Sequence, residues 1–223
     1  EKQAEYKTYT QSIPQTDRMD YLAPMSNNLA YVLAIEKALG VVVPDRAQVI
    51  RVLLTELTRI KSHLVWLGTH ALDIGAMSVF LYCFREREQI LDIYEAVSGQ
   101  RMMSTYFRVG GLMADLPPGF EDQVQAFLHV FPTRLQEYED LLTHNPLWRQ
   151  RTVGIGTIKR EDAIALGLSG PGLRACGVAY DVRKAHPYSG YERYQFEIPL
   201  GKTGDVYDRY QVRMAEMRQS HRI

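Results

Sequence analysis

PDRAQVIRVLLTELTRIKSHLVWLGTHALDIG, residues 44–75, is one unbroken helical pattern between a proline and a glycine, and it decides the fold class. Proline fits a first helical turn, aspartate suits the positive end of the helix, and glycine ends it readily. At 1.5 Å per residue the helix spans about 45 Å. Val49, Leu53, Leu57, Ile60, Leu64, Leu67 and Ala71 fall on one apolar stripe. Beside it Glu56, Arg59, His63, Trp66, His70 and Asp73 recur at alternating spacings of three and four. Two readings of that second edge stand open. A solvated face would carry Glu56–Arg59 as a surface ion pair worth under about 1 kcal/mol. A buried polar track would instead relay protons towards Asp73, and His, Trp and His in place of Lys and Glu point that way.

The flanking sequence predicts more helices. Residues 24–39 form one, ended by Gly40; residues 78–98 form another, stopped by Gly99; a third covers 120–143, with Pro132 as a kink. A short helix follows at 160–166, and 204–222 is helical again. Between them, 149–203 alternates short apolar runs with glycine, and YERYQFEIPL (191–200) has the period of two that suits a strand. The expected class is mainly α with a small α+β region. The expected organisation is a helical core at 1–148, a mixed α/β insertion at 149–203 and a C-terminal helix at 204–223. From Ser62 to Phe84 the only formal charge is Asp73, a length that could span a membrane. His63, Thr69 and His70 inside it favour a buried helix pair instead.

Lys and Arg number 26 and Asp and Glu 26 among 223 residues, so the net charge is zero and no basic nucleic-acid-binding face is expected. Cys83 and Cys176 stand far apart without a CxxC companion, which argues against a disulfide scaffold and a cysteine-ligated metal or cluster in this chain. They read as small buried hydrophobes. His63 and His70 could hold a metal only with further ligands. No GxGxxG, Walker, HExxH or GxSxG pattern is present. The opening EKQAEYKTY has no initiator Met, and a fragment of a longer chain is the expectation.

TDRMDYLAPM, residues 16–25, raises a separate question. Asp17 with Asp20 three residues on looks like a helix N-cap, and Pro24 puts Tyr21 in or just before an irregular helix entrance. Tyr21 is then either part of that entrance or a chemical group. YFRVGG (106–111) and LRACG (173–177) set arginines beside flexible glycines, either in turns or at a contact between chains.

Together with these stretches, EYKTY, NNLAYVLAIEKALG, FREREQILDIYEAVSGQRM, LRACGVAYDVRK and GDVYDRYQVRMAEMRQS occur in an order that resembles the hydrogenase-like large subunit of respiratory complex I, the D-type family of NADH-quinone oxidoreductase subunits. The resemblance implies a helical core like that of the nickel–iron hydrogenase large subunit. It further implies a peripheral-arm subunit of a proton-translocating enzyme, forming one wall of a quinone-reduction cavity. The tyrosine of the D-R-x-D-Y motif matches Tyr21 and bonds the headgroup. The aspartate of A-L-D-I-G matches Asp73. Val65, Thr69 and Phe80 fall where the headgroup cavity is lined, and Arg18 and Met103 where the chain faces a cluster. Glu56, Arg59, His63 and His70 would serve as the proton relay.

No cofactor is implied for this chain itself. Quinone is the substrate, a 4Fe-4S cluster sits in the adjacent small subunit, and NAD and FMN are bound only elsewhere in the complex. The implied partners are that small iron–sulfur subunit, a C-type peripheral subunit and the membrane arm, with no nucleic acid. The implied location is peripheral, on the cytoplasmic side of a bacterial inner membrane. Met103 departs from the family, many of whose members have a histidine there. A thioether takes up no proton, so the neighbouring cluster's midpoint potential is expected to depend only weakly on pH. A ferredoxin-dependent photosynthetic-type complex, or a structural scaffold inactive as this piece, are the alternatives.

Overall fold

A computed structural model describes residues 2–223. The first helix, α1 (Tyr9–Thr16), opens with a capping box in which Thr8 Oγ1 accepts from the Gln11 amide at 3.3 Å and Gln11 Oε1 accepts from the Thr8 amide at 3.2 Å. Helix α2 (Pro24–Leu39) has proline in its first turn and ends at Gly40, whose φ of 67° is the left-handed value that closes a helix. The long helix α3 (Asp45–Ile74) runs as its periodicity predicts. Gly75 and Ala76 turn the chain into α4 (Met77–Ser98), with Gly75 at φ 103°. The stretch 62–84 is thus a helix–turn–helix. Among the described residues no helix is long and apolar enough to cross a membrane.

After α4, β1 (Phe107–Arg108) and β2 (Gly111–Leu112) form an antiparallel hairpin with Phe107 opposite Leu112. Helix α5 (Phe120–Leu142) continues through Pro132. Then come α6 (Pro146–Thr152), α7 (Arg160–Ala165), α8 (Gly170–Ala175), α9 (Val182–Ala185) and α10 (Val206–Arg222). The molecule is mainly α with a small β element, and that element lies at 107–112. The period-two stretch makes no strand. Residues 191–193 form a 3-10 turn, and the alternation that follows reflects extended chain burying Phe196 while Glu197 faces out, with no partner strand to pair.

The chain divides into two compact units. One comprises the residues up to Ser62 with Arg85–His129, the other His63–Phe84 with Val130–Ile223. In the first, α1 packs on α2 and α2 on β1. Here Arg51 of α3 is buried and donates to both Glu36 oxygens, at 3.0 and 2.7 Å, and to the carbonyls of Arg108 at 2.7 Å and Gly111 at 2.9 Å. Glu36 in turn accepts the Gly110 amide at 2.8 Å, so one buried pair holds the hairpin. In the second unit α10 packs on α8 and α6. Gly68 lets α4 approach α3 there, since a Cβ would stand 3.3 Å from Phe80 Cα. Cys83 and Cys176 are both buried free thiols.

The apolar stripe of α3 is core from Leu57 to Ala71, but Val49 is exposed. The second edge is mixed: Glu56 and His63 are buried, Arg59, Trp66 and His70 are half-buried, and Asp73 at the end of the helix is exposed.

Candidate functional site

Tyr21 sits on a turn, residues 17–23, between α1 and α2. The capping reading of Asp17 is corrected here. Asp17 is the C-terminal cap residue of α1, and the N-cap position of α2 is Ala23, without a side-chain bond. The acid pattern mimics a helix start because an Asp at the end of one helix and before the next has the same local spacing. Asp17 is instead wholly buried and accepts the Thr105 hydroxyl. Burial raises its carboxyl above the usual range, against the lowering pull of Thr105, Asn28 and Arg18. Thr105 itself holds φ 45°, a strained value for a β-branched residue, so the clamp on Asp17 is built at a cost of about 1–3 kcal/mol.

The rest of the turn faces outward. Asp20 Oδ1 accepts the Leu22 amide at 3.1 Å, Arg18 donates to the Pro14 carbonyl at 2.5 Å, and Tyr21 is 56% exposed. An exposed phenol is therefore carried on a segment anchored by a buried acid. Met103 is half-buried in the chain leading to β1, two residues before Thr105. In this same unit Arg59 pairs with Glu56 at 3.1 Å.

The second unit holds the other candidate residues. Val65 is buried; Thr69 is exposed and spends its hydroxyl on the Val65 carbonyl at 2.9 Å. Phe80 is half-buried and stacks near Phe84 at 4.3 Å between ring centroids. Beside the α3–α4 turn lies an open groove of about 340 Å³ lined by Met77, Leu142, Leu147, Trp148 and Arg151, and Arg151 donates to the Ile74 carbonyl.

His63 and His70 meet partners from distant sequence. His63 Nε2 lies 2.8 Å from Glu216 Oε2, and Arg174 Nε donates to Glu216 Oε1 at 2.6 Å. Arg174 is thus an internal ion-pair partner. His70 stacks on Trp66 at 4.6 Å, and the Arg213 guanidinium lies 4.0 Å from the Trp66 centroid. Burial first, then Arg213, pushes His70 below its ordinary range, while Asp73 pulls the other way. His70 is accordingly neutral at neutral pH. Periodicity places both histidines on one edge but cannot show Glu216, Arg174 or Arg213, which belong to α8 and α10. Among the described residues no group of three or more His, Cys, Asp or Glu side chains is placed to hold a metal.

Burial opposes the Glu216 carboxylate, but the His63 hydrogen bond and charge and Arg174 together hold its pKa down at about 2, from 4.5. A lowered folded-state value means that the stabilisation is complete above pH 4.5 and is lost as pH falls towards 2. The loss is about 3 kcal/mol at about 1.4 kcal/mol per unit. Urea unfolding followed across that acid range should show a steeper slope in the parent than in Glu216→Gln, in which Asp181, also held down at about 2, still contributes. Equal slopes would remove Glu216 as its source.

The family described as "Respiratory-chain NADH dehydrogenase, 49 Kd subunit" matches residues 73–223. The second D-type NADH-quinone oxidoreductase subunit of Chloroflexus aurantiacus is 70% identical over the whole chain, which covers 54% of that relative. The second D-type subunit of a Roseiflexus species is 69% identical over 99% of the chain and 53% of its own length. The D-type subunit of Geotalea uraniireducens is 61% identical over the whole chain and 57% of its own length. The chain therefore spans about half the length of the curated relatives it matches.

Proposed function

The chain belongs to the respiratory-chain NADH dehydrogenase 49 kDa subunit family, and from that membership we propose that it acts as part of the D-type subunit of a proton-translocating NADH-quinone oxidoreductase. It works in company with the small iron–sulfur subunit, a C-type neighbour and the membrane arm, on the cytoplasmic face of the membrane. Its task is to form one wall of the quinone-reduction cavity. The observation that carries this reading is Tyr21, an exposed phenol on a turn fixed from below by buried Asp17.

Reducing a quinone to a quinol takes two electrons and two protons. The electrons come from outside this chain, from the tetranuclear cluster of the adjacent subunit. The chain supplies protons and position. The Tyr21 O–H, exposed on its turn, donates to a reduced quinone oxygen, a step of general acid catalysis. Arg18, permanently cationic, offsets negative charge arriving nearby. Resupply of protons is assigned to Asp73 and to the polar edge of α3 with Glu56, Arg59, His63 and His70. Val65, Thr69 and Phe80 are assigned to the headgroup lining.

In the assembled complex, Tyr21→Phe is expected to lower quinone reductase activity about a hundredfold, with assembly of the complex and cluster signals intact. Unchanged turnover with intact assembly would make Tyr21 a turn residue only.

A further inference from the structure

Trp148 of α6 is buried, and the one polar atom of its side chain, the indole Nε1, is shut off from solvent without a hydrogen-bond partner among the described residues. His70 of α3 leaves its ring nitrogen Nε2 in the same condition. The two rings meet edge to face, 5.8 Å apart between centroids and with their planes at 87°. Each unpaired nitrogen forfeits the hydrogen bond it makes in water. The two are complementary: indole offers a donor and nothing else, and a neutral imidazole offers one acceptor nitrogen. No direct bond joins them, so pairing both takes one small molecule that accepts and donates, and water does both. Trp148 also lines the open groove of about 340 Å³ beside the α3–α4 turn, which brings solvent up to the indole. Trp66 stacks on His70 at 4.6 Å and fixes the plane of its ring, but a stack does not choose between the two ring nitrogens.

We propose that Trp148 is a positioning residue for His70: a buried water accepts from the indole N–H and donates to His70 Nε2, so that the imidazole keeps its own proton on Nδ1. The proposal deepens the reading of the polar edge of α3 as a proton supply, and its consequence for turnover rests on that reading. Nε2 is then the nitrogen that takes up a proton, handed over by the water, and Nδ1 the one that already holds one. Because the bond is made to the neutral ring, it acts with burial and with Arg213 and Arg209 of α10 against protonation, while Asp73 of α3 favours it. From α6 the ring meets the uncharged indole.

The test begins with the assembled parent complex. A density map fine enough to show ordered water should place one oxygen within about 3.2 Å of both Trp148 Nε1 and His70 Nε2. No oxygen there, or one that reaches only one of the nitrogens, overturns the site. The second arm is the pH profile of quinone turnover in Trp148→Phe, which keeps an aromatic ring and removes the N–H, with assembly and cluster signals as controls. The inflection that belongs to His70 is the one lost in His70→Gln. In Trp148→Phe the neutral ring loses its partner, so the ratio of protonated to neutral His70 at a given pH should rise about fivefold, the factor for one ordinary hydrogen bond, and the inflection should move to higher pH. An unmoved inflection makes Trp148 a packing residue and overturns its positioning role. The two readings fail separately. If the water is in place but His70→Gln removes no inflection, the water site stands and the proton-supply reading falls. If the inflection is present and the water is not, the proton-supply reading stands and the link through Trp148 falls.

Discussion

Replacing Arg51 by methionine lowers the unfolding free energy by about 3–5 kcal/mol, the range for removing one partner of a buried ion pair. The expected loss is large because Arg51 satisfies three groups at once. Its guanidinium is 1% exposed and holds both oxygens of Glu36, itself 5% exposed. It also donates to the Arg108 and Gly111 carbonyls, which lose those bonds when the guanidinium goes. Methionine matches the stem but strands a buried carboxylate and two acceptors. Adding Glu36→Leu removes the stranded charge and should recover much of the loss, leaving the cost of the two carbonyls and of the Gly110 amide that Glu36 also holds. Chemical denaturation of the parent, the single variant and the double variant checks this. A loss below about 1 kcal/mol for Arg51→Met would mean that the hairpin is held by packing rather than by the pair.

Helix boundaries are legible in the sequence wherever a residue type forces them. Gly40, Gly75 and Gly99 adopt positive φ where the apolar period stops, and Pro24 and Pro44 stand where α2 and α3 begin. Misreadings arise where a local pattern needs its neighbours to be interpreted. In TDRMDY, Asp17 is the residue that ends α1 and Asp20 belongs to the turn after it, and the signal that separates the two readings is the Thr8–Gln11 capping box that announces α1 upstream. Alternation at 194–198 reports alternating burial of extended chain, which is half of what makes a strand; the other half, a pairing partner, is not a local property. The candidate site divides in the same way. Family motifs point to Tyr21 and Asp73. The partners of the polar edge, Glu216 and Arg213, enter from α10, and helical period within α3 carries no information about them. Lys61, buried over the Tyr94 ring, does leave a signal. It stands four residues after Leu57 and three before Leu64, within the apolar stripe itself, where a lysine has no reason of packing to be.

That position has a thermodynamic consequence. The Lys61 amine has its pKa near 7 when folded and 10.5 in an unfolded chain. Between those values the unfolded chain binds more protons than the folded one, so stability rises with pH across this window. Below about 7 both states are protonated and the contribution is flat at its least favourable value; above 10.5 neither is, and the cost is gone. At about 1.4 kcal/mol per unit, the gain over the window is about 5 kcal/mol. Lys61→Met removes the titration, so the variant should be the more stable of the two at pH 7, and the gap should close as pH approaches 10.5. Comparing the two is necessary because tyrosines also ionise at high pH, and their effect cancels in the difference. Thermal or urea unfolding of parent and variant, measured at several pH values within the window, gives that difference directly. Parallel curves would show that the folded protein accommodates the Lys61 charge as easily as water does. A converging pair would show that the chain retains a buried cation over the Tyr94 ring at a cost to its stability.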